Sequence, residues 1–190
     1  MPVEYFFPKA FFYKDELLSE DENGRLLHAA RALRQEIPES TRTNLYTTYG
    51  SVANVLERSE FAVLRDALIA QIVEYLTILE TREGNRWAIT DSWVSISAHG
   101  NYERMHTHDG SYISGVYYIK TAPGCGELSF EELLDNLWAS RRTKAENFNA
   151  VSYTPVERRV ILFNSRVAHH VGRNMSSEDR IALSFNVSLL

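Results

Sequence analysis

The chain has 190 residues, 44% of them apolar, and a net charge of −5. That length suits one domain with a core of its own, and the acidic balance argues against nucleic acid as the main partner, because phosphate binding wants a basic face. A single cysteine, Cys125, rules out an intramolecular disulfide and fits a reducing compartment, while no apolar run approaches the roughly 20 residues of a membrane span.

The opening residues, MPVEYFFPKAFFYKDELL, lack a basic start and a small-residue cleavage site, so the expectation is a cytoplasmic protein. Val3–Tyr13 is aromatic and interrupted by Pro8, which cannot donate to a sheet ladder. It reads as an edge strand or an extended arm. Asp15 to Glu36 reads as a helix, with Leu17, Leu18, Leu26, Leu27, Ala30 and Leu33 near a 3.6 period and Pro38 as its stop. Ser40–Ser51 reads as loop or short strand, a surface connection more readily than a ligand-facing segment. Val52 to Glu80 carries a second helical pattern, with Phe61, Leu64, Leu68, Ile72, Tyr75 and Leu76 on one face.

From Arg86 the period changes to two. Trp87–Ser97 alternates like a strand pair, Gly100 marks a bend, SGVYYIKT is a strand and Ala122–Glu127 a glycine-rich turn. ELSFEELL is a short strand that leaves into a polar excursion, Asp135 to Tyr153, a candidate lid carrying Trp138. ERRVILFN and DRIALSFNVSLL are the last strands. Helices first, then short strands with turn signals, suggest a mainly β domain of sandwich or barrel type. The expected division is one domain over 1–190, with 1–85 as a helical support region and 86–190 as the β core.

Chemistry concentrates at Asn101–Tyr118, NYERMHTHDGSYISGVYY. In an extended segment residues i and i+2 point to the same side, so His106 and His108 can aim at one point, as a metal ion requires. A third ligand lies far downstream in FNSRVAHHV, where His169 and His170 are adjacent and only one can face inward. Three imidazoles suit Fe(II), Zn(II) or Cu(II), and two ligands at one strand end with a third from a distant strand leave open positions, as in non-haem iron oxygenases. Arg180 follows at the start of the final strand, sharing a face with Ala182, Ser184 and Asn186. Its guanidinium, with Ser184 beside it, suits a free carboxylate.

These residues carry a resemblance. HTHDGSYISGVYYIKTAPGCGELSF is similar to a bacterial and phage branch of the 2-oxoglutarate- and Fe(II)-dependent dioxygenases, in which a His-x-His motif precedes an SGVYY strand and a Gly-x-Leu-x-Phe segment. Phe163, Ser165, His169, Asn174, Arg180, Ser184, Phe185 and Asn186 continue the pattern, so the likeness runs from about Trp93 to the C-terminus. It selects His169 over His170. It implies a double-stranded β-helix, a jelly-roll or cupin-like core with helices packed on one sheet. It further implies iron on His106, His108 and His169, and 2-oxoglutarate held by Arg180 with Ser184 and Tyr118. The activity implied is hydroxylation of a small molecule or an amino acid side chain with O2, releasing succinate and CO2. Tyr46, Asn101, Tyr102 and Trp93 are substrate-side candidates.

One departure stands out. Most of the superfamily has Asp or Glu where this chain has His108, and three neutral ligands leave iron its full positive charge. Asp109 is the nearest carboxylate, expected to point to the opposite face. Two other readings stay open, a three-histidine dioxygenase that does not use 2-oxoglutarate and a non-catalytic β-domain acting as a binding module. The prime substrate and the oligomeric state are unreadable, and a homodimer stays open.

Overall fold

The computed structural model describes residues 9–81, 84, 86–132 and 148–190. Ten strands and two α-helices are formed among them. In chain order they are β1 (Phe11–Lys14), α1 (Glu20–Glu36), β2 (Tyr46–Thr47), α2 (Ala62–Ile78) and β3 (Trp87–Ser97). After these come β4 (Glu103–His106), β5 (Ile113–Lys120), β6 (Leu128–Glu131), β7 (Ala150–Tyr153), β8 (Val160–Asn164), β9 (Ala168–Val171) and β10 (Arg180–Leu189). Two antiparallel sheets face each other, β1-β8-β5-β10-β3-β2 and β4-β9-β6-β7. This is the double-stranded β-helix, mainly β, with its helices on the outer face of the large sheet.

The helices form where the sequence supplies caps and an apolar stripe. Ser19 accepts from the Glu22 amide while the Glu22 carboxylate accepts from the Ser19 amide, a reciprocal capping box worth about 1 kcal/mol. The helix therefore starts at Glu20, not Asp15. Asp15 and Glu16 instead pair with Arg159 and Arg158. Asn23 ties α1 to β5: its amide donates to the Ile119 carbonyl at 2.9 Å, and its oxygen accepts from the Tyr117 hydroxyl at 2.9 Å.

The second helical stretch begins later than its periodicity suggests. Val55–Glu57 and Ser59–Phe61 are short 3₁₀ turns, and α2 is continuous only from Ala62. The Ser92 hydroxyl accepts from the Leu56 amide at 2.9 Å, which holds this turn against β3 in place of another helical turn. The expected apolar face, Phe61 through Leu76, is buried. Each such side chain removed from water contributes roughly 1.5–3 kcal/mol.

Trp87–Ser97 is one strand rather than a pair, since WAITDSWVSIS holds no glycine, proline or asparagine to reverse the chain and pairs with β10 throughout. It runs alongside β10 for its whole length, with an irregularity at Asn186/Val187. The edge strand expected in Val3–Tyr13 is β1, at the rim of the large sheet, and residues 3–8 lie outside the described residues. The candidate lid with Trp138 also lies outside them as far as residue 147, and the end of that excursion is β7, paired with β6.

β10 is central and buried on both faces. Ile181, Leu183, Phe185 and Val187 join the helix-side core, while Arg180, Ala182, Ser184 and Asn186 face the interior between the sheets. A second apolar cluster, including Leu128, Phe130, Ile161 and Phe163, fills part of that interior. Gly115 on β5 is required by this packing, because a Cβ there would lie 2.3 Å from the Phe185 ring and 2.8 Å from Leu162.

Candidate metal centre

His106 and His169 are cross-strand partners between β4 and β9, and Phe130 of β6 flanks His169 on its other side. Alternation along β9 sends His169 inward, 4% exposed, whereas His170 turns outward, with its Nδ1 3.7 Å from Glu131. His108 lies in the loop just after β4. Its amide donates to the Ser165 carbonyl at 2.9 Å, so the turn after β8 holds this loop in place.

The ligand nitrogens of the three histidines all lie within 4.8 Å of one another. Some point therefore lies within about 2.8 Å of all three, against ~2.0–2.1 Å for a metal–imidazole bond. The protonation pattern also fits. Nδ1 of His106 lies 2.7 Å from the Arg104 carbonyl, and Nδ1 of His169 lies 2.8 Å from the Val167 carbonyl. A carbonyl can only accept, so both Nδ1 atoms carry hydrogen and both Nε2 lone pairs are free for a metal. Burial pushes His108 down to about 4, helped by His106 and opposed by Asp91. Burial likewise pushes His169 down to about 3. Both rings are neutral at physiological pH, the form that ligates. Asp109 is exposed, beside Thr107, and is not part of this cluster.

The cavity holding the histidines has a volume of about 210 Å³. Its floor is built in rows across β3, β10 and β5: Trp93, Ser184 and Val116, then Ser95, Ala182 and Tyr118, then Ser97 beside Arg180. Arg180 is 6% exposed. Its guanidinium donates to the Cys125 and Gly126 carbonyls at 3.2 and 3.1 Å and to the Ser97 hydroxyl at 3.0 Å. The glycine-rich turn supplies those carbonyls because Gly126 adopts φ +92° with its Cα against the Gly172 carbonyl, where a Cβ would lie 2.1 Å from that oxygen. No carboxylate forms an ion pair with Arg180 among the described residues. Burial lowers its basicity, opposed first by Tyr118. An uncompensated buried cation of this kind favours an anionic ligand. Burial pushes the Tyr118 hydroxyl up to about 12, so it stays protonated and able to donate.

The structure thus brings His106, His108, His169, Arg180, Tyr118, Ser184 and Trp93 to one cavity. Ser184 stands two rows from Arg180, and Ser97 is the hydroxyl that Arg180 reaches. Asn101 and Tyr102 do not line the cavity. The Asn101 side chain accepts from the Ala98 amide in a turn, and the Tyr102 ring lies under Arg173. Tyr46 is also elsewhere, its hydroxyl bonded to the Ile37 carbonyl at 2.7 Å. The sequence reading missed Arg42, Thr47 and Tyr49, which line the cavity from the segment it treated as a surface connection. NLYTTYG carries no regular period, so nothing in it singled these residues out. A larger surface groove of about 460 Å³ beside α1 has its Arg58 paired with Glu36 and carries no metal-ligating cluster.

A polar chain supports the His108 loop from behind. The Asn186 amide donates to Asp91 at 2.7 Å, and the Ser114 hydroxyl donates to the Asn186 oxygen at 2.8 Å. With its one hydrogen committed, Ser114 accepts from the Ser165 hydroxyl at 2.9 Å. Ser114, Ser165 and Asn186 are all buried.

A family model described as 2OG-Fe(II) oxygenase matches residues 91–186, half of the chain. The solved structures similar to this fold include the non-haem alpha-ketoglutarate-dependent epimerase SnoN from nogalamycin biosynthesis. It is 17% identical, with a TM-score of 0.70 and coverage of 95% of this chain and 77% of that one. HygX from Streptomyces hygroscopicus, solved with nickel and 2-oxoglutarate, is 13% identical, with a TM-score of 0.68 and coverage of 95% and 83%. The viral collagen prolyl hydroxylase of Paramecium bursaria Chlorella virus-1 is 15% identical, with a TM-score of 0.62 and coverage of 95% and 96%. At these identities the likeness is one of fold. No curated protein matches the sequence.

Proposed function

The chain belongs to the 2OG-Fe(II) oxygenase family, and from that membership we propose that it is an Fe(II)- and 2-oxoglutarate-dependent dioxygenase of hydroxylase type. The observation that carries this reading is the single cavity shared by three metal-competent histidines and a buried, unpaired arginine. His106 and His169 would hold iron through Nε2, with His108 as the third ligand. When bound, iron and 2-oxoglutarate supply the activation of O2, with succinate and CO2 as products.

The chain's own residues do the rest. Arg180 fixes the remote carboxylate of the co-substrate, because a guanidinium held at three points loses little freedom on binding it. Tyr118, neutral and next to Arg180, donates to the same group. Ser184, on the row nearer Trp93, offers a further hydroxyl along the floor. Phe130 and Phe163 flank His169 at ring separations of 5.9 and 4.8 Å, so they exclude water from one side of the centre. The three neutral ligands leave more positive charge at the metal than a set with a carboxylate, which favours a dianionic co-substrate. Hydroxylation of a small molecule or an amino acid side chain is the reaction proposed.

The test is anaerobic addition of Fe(II) and 2-oxoglutarate. A weak visible charge-transfer band is expected for a chelated 2-oxo acid at an open iron site, followed by succinate release on admission of O2. Arg180→Ala should lose the band at the same co-substrate concentration while retaining iron. Iron bound without any band would instead favour a three-histidine dioxygenase that does not use 2-oxoglutarate.

A further inference from the structure

Within the oxygenase reading, one part of the cavity has no role yet: its mouth. The Trp93 ring lies 5.7 Å from the His108 ring, and Tyr49 meets Trp93 edge-on at 4.9 Å. Together they form an aromatic wall that leads from the metal ligands outward. Tyr49 is 43% exposed, and its hydroxyl has no hydrogen-bond partner among the described residues. A side chain of that size usually buries most of its ring. Here a large part of the side chain stays accessible at the entrance to the cavity.

Beside it stands Arg42, its guanidinium 5.9 Å from the Tyr49 ring. Among the described residues it has no acidic partner, whereas Arg58, Arg158 and Arg159 are each paired. Among the described residues Glu103 is the one carboxylate lining the cavity, and its charge acts on Arg180. Arg180 serves the co-substrate from the deep end of β10, so Arg42 is a second cation free for a second anion. Space limits what can enter. At about 210 Å³ the cavity is below the roughly 300–1,000 Å³ of pockets that enclose drug-sized ligands. With the co-substrate inside, only the reacting end of a substrate fits, and the remainder must rest on the wall.

We propose that the prime substrate presents a flat ring bearing an acidic group, with the ring on Trp93 and Tyr49 and the acid on Arg42. This rests on the oxygenase reading and adds the class of substrate to it. A planar π-system gains from edge and face contacts with the aromatic pair, and a carboxylate or phosphate matches the guanidinium fork.

The experiment uses the full chain with Zn(II) in place of iron and saturating 2-oxoglutarate, so that Arg180 is occupied and no turnover occurs. Benzoate, benzamide and cyclohexanecarboxylate are titrated calorimetrically. Benzoate is expected to bind at least tenfold more tightly than the other two, a difference of about 1.4 kcal/mol. Arg42→Gln should bring benzoate to the level of benzamide without changing the affinity for 2-oxoglutarate. Tyr49→Leu, an exposed position that spares the fold, should weaken benzoate and benzamide alike. The inference is overturned by benzoate binding no tighter than cyclohexanecarboxylate, by an Arg42→Gln variant that binds benzoate normally, or by no probe binding up to about 20 mM while 2-oxoglutarate binds. If wild-type protein takes up no 2-oxoglutarate, the oxygenase reading fails and this inference falls with it.

Discussion

At the scale of single residues, the proposed metal centre depends on imidazoles that burial keeps neutral. His169 and His108 have ordinary values near 6.5 in an unfolded chain but about 3 and about 4 when folded. Below pH 6.5 the unfolded metal-free chain binds protons that the native state refuses, so stability is retained above that pH and falls as the pH drops toward 4 and then 3. Chemical denaturation of metal-free protein should show the midpoint falling steadily over that window. His169→Gln should flatten the slope. Arg180 acts differently. Replacing it by Ala removes a charge-assisted anchor at the deep end of the cavity, and 2-oxoglutarate affinity should fall at least ~30-fold, a loss of about 2 kcal/mol or more. Iron stoichiometry should stay at one. His106→Ala, in contrast, should lose stoichiometric metal, which elemental analysis of the purified protein measures. Of these residues the histidines were legible from a spacing of two, which is enough to place two side chains on one side of an extended chain. Ser97 was not, because its role comes only from standing opposite Arg180 across β3 and β10.

At the scale of elements, β10 and its neighbours act as a double-sided wall. One face is apolar toward the helices, and the other carries the cavity floor. Gly115 sets the fit between them, and Gly115→Ala should destabilise by about 1–3 kcal/mol through overpacking against Phe185 and Leu162, seen as a lowered Tm with the metal site still able to form. The chain from Asp91 through Asn186 and Ser114 to Ser165 gives the neighbouring row another task. It holds the turn whose carbonyl receives the His108 amide. Ser114→Ala should weaken Zn(II) affinity by about 10-fold, the low end for groups that orient metal ligands, and competition with a chromophoric chelator measures this. The long strands were readable from alternation and β-branched residues. β4 and β9 were not, since four residues each carry too little period. They are strands because they pair with each other, and β9 also pairs with β6.

At the scale of the whole molecule, the two sheets bring together segments that lie far apart in the chain. His106 and His169 are cross-strand neighbours across more than sixty intervening residues. Anything that binds this assembled site stabilises the entire fold by mass action, by about 2.7 kcal/mol at a hundredfold excess over Kd. Adding Zn(II) should therefore raise the Tm by several degrees, roughly 2–4 °C per kcal/mol for a domain near this size. The gain should vanish in His106→Ala.

The sequence by itself determined the helix-then-strand order, the apolar faces and the histidines and arginine proposed to carry the chemistry. Those follow from local period and from the side chains each kind of chemistry demands. Only the tertiary structure decided that Arg42, Thr47 and Tyr49 line the cavity, that Ser97 serves Arg180, and that Asn101 and Tyr102 lie outside it. Which polar side chain faces a cavity is set by strand register and sheet order, and both are fixed by pairings between residues distant in the chain.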